Sequence, residues 1–189
     1  MSARDRFRQL RADVRRHIPK DEETTTLRKV ALCLETQGIW ASTVLRYGQW
    51  VYEDQHGLAG VPLKVGYRVL QKTVEVAAGI SVPASADIGP GLYIGHFGEV
   101  IVHPNTRAGR NLSLGQGVTL GTRGAGTSGA PTIGNDVYIG VGAKVLGPVH
   151  IGDGARIGAN AVVLDDVPAG ATAVGIPARV VKVRGTKDG

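Results

Sequence analysis

Residues 131–163 read PTIGNDVYIGVGAKVLGPVHIGDGARIGANAVV, and a branched residue recurs at every sixth position: Ile133, Ile139, Val145, Ile151, Ile157 and Val163. Glycine follows directly at 134, 140, 152 and 158. On an α-helix, at about 100° per residue, a step of six turns roughly 240°, so successive members scatter over three sides instead of lining one. A single long strand fails as well, because glycine in every sixth place weakens it repeatedly. Short strands joined at glycine-permitted corners satisfy the pattern, each branched side chain pointing inward. Three hexads then close one triangular coil of about 18 residues.

The phase runs backwards through Leu120, Leu114, Ala108 and Val102, then slips by two residues to Ile94 and Ile88. The slip falls around His96. Between Leu120 and Ile133 there is one residue more than two hexads require, and the segment GTRGAGTSGAP (121–131) is too rich in Gly, Ser and Thr to hold a packed corner. It is read as a loop projecting from the coils. Local rules tend to break at functional sites, which directs attention to these two irregularities.

Composition agrees with a repetitive β architecture. The 189 residues include 28 glycines and only 5% aromatics, which suits many tight corners around a core of small branched side chains. Residues 1–20 hold seven basic residues against Asp5 and Asp13, so they carry +5 of the formal +6. The rest of the chain has no broad basic face, and nucleic acid is not expected as a partner. No apolar run approaches the roughly 20 residues of a spanning helix, and the N-terminus lacks the apolar core of a secretory signal, which predicts a cytoplasmic protein. The single cysteine, Cys33, permits no internal disulfide or cysteine-based metal site and is read as a buried structural thiol.

The first 79 residues read as an α-helical cap. In DRFRQLRADVRRHI (5–18), Phe7, Leu10, Val14 and Ile18 fall close to helical spacing among arginines, and Pro19 stops the run. The preferred reading is a solvated arginine face with the apolar stripe packed on the next helix; contact with an anionic membrane surface is the less favoured one. Residues 26–53 and 63–79 read as helices separated by the turn-rich HGLAGVP. The predicted organisation is a cap (1–79), a coil domain (80–184) carrying the 121–131 loop, and a short tail (185–189).

The hexads, together with ADIGPGLYIGHFG (86–98), QGVTLGT (116–122) and VGIPARVV (174–181), resemble the hexapeptide-repeat acyltransferases, in particular serine acetyltransferases and their polysaccharide-associated relatives. The resemblance covers roughly residues 80–184. It implies a mainly β fold, a left-handed parallel β-helix, against the usual right-handed crossover preference. It also implies a homotrimer with acetyl-CoA sites between subunits and no metal requirement. The His-rich ligand spacing of metal-bearing relatives on the same solenoid is absent.

By the same resemblance His96 is the catalytic base. An alcohol is a weak nucleophile toward a thioester, and a group with pKa near 7 can take its proton as the bond forms. His103, in VHPN, is a further candidate for contact with the acceptor; His17, His56 and His150 are expected on the surface. Gly121 and Thr122 match the loop lip that meets the thioester end, with backbone N–H groups suited to an oxyanion. Val141 and Ala159 match corner residues along the pantetheine arm, and Arg179, with Lys182 and Arg184, supplies positive charge for the phosphates.

The chain departs from the serine enzymes at Ser81, Gly95 and Gly129-Ala130, which bear on the acceptor, and at its tail. The aspartate those enzymes carry 15 residues before the histidine is Ser81 here, so the ring would be oriented by a backbone carbonyl, by the Ser81 hydroxyl, or by Asp87 or Glu75. Their aspartate next to the histidine and their Arg-His pair are replaced by Gly95 and Gly129-Ala130. The chain also stops at KVRGTKDG without the tail that docks on cysteine synthase, so no such complex is expected. These substitutions favour acetyl transfer to a sugar or other uncharged alcohol. Serine O-acetylation and a non-catalytic assembly module are the alternatives.

Overall fold

The structure, a computed structural model, describes residues 3–18, 25–54, 57, 60–124 and 129–183. His56, Arg184 and the 185–189 tail therefore lie outside the described residues. Among the described residues four helices come first: α1 (Ala3–His17), α2 (Thr26–Glu35), α3 (Gln37–Asp54) and α4 (Val61–Ala78). The 26–53 stretch is thus two helices rather than one, broken where Thr36 takes an extended conformation. Cys33, expected buried, is half-buried in α2.

Fifteen short strands among the described residues, numbered along the chain, follow, and they form three sheets. The first holds β1 (Ile80–Ser81), β4 (Val100–Val102), β7 (Thr119–Gly121), β10 (Lys144–Leu146) and β13 (Val162–Val163). The second holds β2 (Asp87–Ile88), β5 (Arg107–Ala108), β8 (Thr132–Ile133) and β11 (His150–Ile151). The third holds β3 (Tyr93–Ile94), β6 (Ser113–Leu114), β9 (Tyr138–Ile139), β12 (Arg156–Ile157), β14 (Ala171–Gly175) and β15 (Ala178–Val183). Successive strands pass from sheet to sheet, and neighbours within each sheet run parallel up to β14; only β14 and β15 are antiparallel.

The hexad residues line the interior as the phase requires. Ile88, Ile94, Val102, Leu114, Leu120, Ile133, Ile139, Val145, Ile151, Ile157 and Val163 are all buried, and Ala108 packs against them. Each inward residue faces its equivalent one coil on, as Val102 faces Leu120, Leu120 faces Val145 and Val145 faces Val163.

The cap is held differently from the reading of α1 as an apolar stripe with solvated arginines. Phe7 is exposed, whereas Arg6 and Asp13 are buried. Asp13 accepts from Arg46 Nε on α3 at 2.8 Å and from the backbone N–H groups of Gly91 and Leu92 at 2.7 and 2.8 Å. Arg46 also donates to the carbonyls of Ile88 (2.6 Å) and Gly89 (2.8 Å). Gln49 donates to Ala86 O and accepts from Arg6 and Arg46, while Arg6 pairs with Glu53. Arg16, far from being free in solvent, donates to Gly91 O and to Ser113 Oγ. This polar network fastens α1 and α3 to the open end of the first coil, where backbone groups have no preceding coil to pair with.

His17, expected on the surface, belongs to the same contact. Its Nδ1 lies 2.9 Å from Asp13 O, its Nε2 accepts from Ile94 N–H at 3.2 Å, and its ring packs on Tyr93. One nitrogen donates and the other accepts, the pattern of a neutral imidazole. Burial pushes its pKa below the usual 6.5, outweighing its backbone hydrogen bonds. The unfolded chain therefore binds more protons between the two values, so stability is full above the ordinary histidine range and falls as pH drops through it. We expect urea midpoints to decline from pH 7 to pH 5 more steeply for the natural chain than for His17→Gln. Equal slopes would show that this imidazole is not the sensitive group.

Candidate active site

His96 lies on the corner between β3 and β4, where the two residues inserted in the repeat are accommodated, and its side chain is exposed in the single chain. Backbone hydrogen bonds stack this corner on its equivalents: Gly95 N donates to Leu114 O, Gly115 N to Ile139 O, Gly140 N to Ile157 O and Gly158 N to Ala173 O. The residues after those glycines are His96, Gln116, Val141 and Ala159, so the histidine and two of the expected cofactor contacts share one edge of the prism. At about 4.8 Å per coil the row from His96 to Ala159 spans roughly 14 Å. Coils approach closely there, since a Cβ on Gly140 would come within 2.7 Å of Ala159 N. The ledge is therefore narrow, with exposed Val141 and Ala159 on it, and suits a thin, extended arm.

The corner rests on the end of α4. Gly98 N donates to Ala78 O at 2.8 Å, and Gly79, the left-handed cap of the helix, lies against Gly98 and Glu99. Ser81 faces outward on β1 beside Ile101 and donates to Glu75 Oε1 at 2.8 Å. Asp87 is placed on the second sheet opposite Arg107, away from the histidine edge, so Ser81 and Glu75 are the orienting candidates that the fold brings to this region.

Gly121 and Thr122 sit at the other edge of the first sheet. Gly121 closes β7 opposite Leu146 and accepts from Gly147 N, and residues 125–128, which the sequence reading placed in a loop, lie outside the described residues. His103 follows β4 on that same edge; it is half-buried, and its Nδ1 accepts from Asn105 N–H in a local turn. Arg123 lies beside this lip, donating to Leu146 O at 3.3 Å. Asp165 sits 3.9 Å from Arg123 and 3.6 Å from Arg179, so one carboxylate joins the two guanidinium groups. Sequence reading missed this link; its one signal is the acidic pair Asp165-Asp166 just after the last hexad. Arg179 and Lys182 are exposed on β15.

Of the expected anchor positions, Gly95 has room for a side chain, whose Cβ would lie 3.4 Å from the Tyr93 ring, but Gly129 cannot be refilled simply. Gly129 has φ +117°, and a Cβ there would lie 2.6 Å from Pro148 Cβ. A cleft of about 490 Å³ lies between the cap and the first coil, among residues that include Tyr52, Tyr67, Arg68 and Pro83, and none of the site residues lines it. Among the described residues no cluster of three or more His, Cys, Asp or Glu side chains could hold a metal, and no helix is long and apolar enough to cross a membrane.

Comparison with known proteins fits this geometry. Residues 130–165 match the bacterial transferase hexapeptide family (six repeats). The chain is 35% identical over 182 residues to a serine acetyltransferase of Synechococcus elongatus, covering 96% of this chain and 71% of that protein. It is 34% identical to one from Mycobacterium tuberculosis, over 91% of this chain and 72% of the relative. Among solved structures, serine acetyltransferase from Brucella abortus in complex with coenzyme A superposes with a TM-score of 0.81 at 28% identity, over 98% of this chain and 71% of that one. The Neisseria gonorrhoeae enzyme in complex with serine gives a TM-score of 0.77, also at 28% identity, over 96% and 71%. These relatives overturn the expectation of a sugar or other uncharged acceptor, which rested on the missing charges at Gly95 and Gly129-Ala130. With a hexapeptide-repeat core, a histidine on its irregular corner and relatives of this identity across nearly its whole length, the chain belongs to the serine acetyltransferase family of acyltransferases.

Proposed function

We propose that the protein transfers the acetyl group of acetyl-CoA to the hydroxyl of L-serine, with His96 as general base, in sites shared between the copies of a trimer of left-handed coils. The observation that carries this reading is the row His96, Gln116, Val141, Ala159 on one edge of the prism. Acetyl-CoA supplies the acyl thioester. Val141 and Ala159 flank the arm along the ledge, and Arg179 with Lys182 meets its phosphates. His96 accepts the hydroxyl proton as the serine oxygen bonds to the thioester carbon. Backbone N–H groups at Gly121-Thr122 stabilise the oxyanion, and His96 returns its proton to the sulfur as the C–S bond breaks.

Where these parts lie supports a site shared between copies. Within one chain His96 and the Gly121-Thr122 lip occupy opposite edges of the first sheet, so a site using both draws them from two copies. Phe97 and Ile101 beside the histidine are 62% and 51% exposed in the isolated chain, apolar surface that a second copy would cover. The expected particle has three times the 19.7 kDa chain mass. Incubation with acetyl-CoA and L-serine should release CoA and form O-acetylserine mole for mole; CoA release without that ester would contradict the reading.

With Gly95 and Gly129-Ala130 uncharged, the serine carboxylate needs another cation. Arg107 points out from the second sheet and Arg110 lies against Asp136, whereas Arg123, which also approaches Asp165 at 3.9 Å, is the arginine that stands at the lip itself. A charge-assisted hydrogen bond contributes about 1.5–3 kcal/mol. Arg123→Ala should therefore raise the KM for serine roughly 10- to 100-fold and leave that for acetyl-CoA nearly unchanged. An equal rise in both would assign Arg123 to the cofactor.

A further inference from the structure

Resting on His96 as the base, we infer that Glu75, acting through the Ser81 hydroxyl, is the positioning carboxylate of this site, holding negative charge beneath the histidine corner. Glu75 lies one turn from the end of α4, and its backbone carbonyl accepts from the cap residue Gly79. The corner is fixed to that same end: Gly98 N bonds to Ala78 O, and Val100 N to Gly79 O. Ser81 is the outward residue of the strand that begins just after the cap, and it spends its hydroxyl proton on Glu75 Oε1. Its oxygen is left free to accept a hydrogen bond from another donor. A protonated imidazole at the neighbouring corner is such a donor, and the negative end of the α4 dipole also favours positive charge there.

The carboxylate is built to stay ionised. Burial pushes the Glu75 carboxyl up, but hydrogen bonds from Ser81, Lys72 and Gln71, with the charge of Lys72, outweigh it and hold the group below its ordinary range. The other charged or titratable groups around this region are Tyr67 on α4, Glu99 on the histidine corner, and Lys144 on β10, whose Nζ donates to Gly117 O and Thr119 Oγ1. Lys72 is the cation that opposes Glu75 directly, at 3.1 Å on the exposed side of the helix.

The test is the pH profile of kcat/KM in the full-length protein. The positioning role predicts that the carboxylate stabilises the imidazolium form, so its loss moves the rising limb of the profile to lower pH. Glu75→Gln should shift that limb down by about half to one unit and lower kcat roughly 5- to 20-fold, with the KM for acetyl-CoA unchanged. Ser81→Ala should do the same. The double variant Ser81→Asp/Glu75→Gln, which delivers a carboxylate directly from β1, should return the limb toward its natural position, whereas a merely structural role for Glu75 would give no such recovery. Lys72→Ala, which removes the ion pair but keeps the carboxylate, should not lower the limb. An unmoved limb in Glu75→Gln, or a double variant no better than the single one, overturns this inference. If His96→Ala retains turnover the base assignment itself fails; an inactive His96→Ala beside an unchanged Glu75→Gln profile rejects only the role of Glu75.

Discussion

His96→Ala is expected to lose at least about 100-fold, and up to about 10⁴-fold, of acetyl transfer while binding acetyl-CoA and assembling as the natural chain does. The side chain sits on a corner whose position is set by backbone bonds, Gly95 N to Leu114 O before it and Gly98 N to Ala78 O after it, and not by the imidazole. Removing the ring therefore leaves the ledge at Val141 and Ala159 intact. The loss should fall on kcat more than on either KM, because the proton moves only as the bond to the thioester carbon forms. Steady-state kinetics with equilibrium binding of CoA separates these terms. Near-normal turnover, or a variant that no longer binds CoA, would remove His96 from the role of base.

Asp13→Ala is expected to be the most destabilising single change in the cap. Asp13 is 0% exposed and Arg46 2%, and the aspartate also satisfies the backbone N–H groups of Gly91 and Leu92. Its removal leaves a buried guanidinium without its anion and two amides without an acceptor, and breaking a buried pair from one side costs about 3–5 kcal/mol. Replacing both partners by apolar residues of similar size should cost less, since no unpaired charge then remains. A coiled repeat contacts mainly its neighbours, so the loss should appear first in the cap and the first coil. Hydrogen exchange should show α1 and α3 losing protection while residues 133–163 keep theirs. A change below about 1 kcal/mol by urea unfolding would mean that the pair is not buried in solution.

What the sequence made legible, and what it did not, follows from the range of the interactions. The hexad phase marked the interior because each residue there meets its own equivalent one coil away: Ile133, Ile139, Val145, Ile151, Ile157 and Val163 could be placed by counting alone. His96 stood out for the same reason, since a regular repeat makes a two-residue slip visible. The α1 helix was misjudged because an arginine-rich face reads alike whether it meets water or a row of unpaired carbonyls; only the open end of the first coil decides. Asp13, one acid among arginines, was the available signal. The contact between Glu75 and Ser81 crosses from helix to strand, so the sequence named the two only as separate alternatives for orienting the ring and did not show that they meet. The acceptor was misread from missing charges at Gly95 and Gly129-Ala130. The sequence over 121–131 follows no repeat, and absence at two positions says nothing of Arg123 at a third.

The most direct test is the rate of CoA release from acetyl-CoA with L-serine as the sole acceptor, measured for the natural chain and for His96→Ala in parallel. The account predicts a kcat/KM for serine of about 10⁴ M⁻¹s⁻¹ or above, in the ordinary range for natural substrates, with O-acetylserine formed in equal amount and the rate at least about 100-fold lower in the variant. Serine-independent release of CoA, or equal rates in the two proteins, would contradict it.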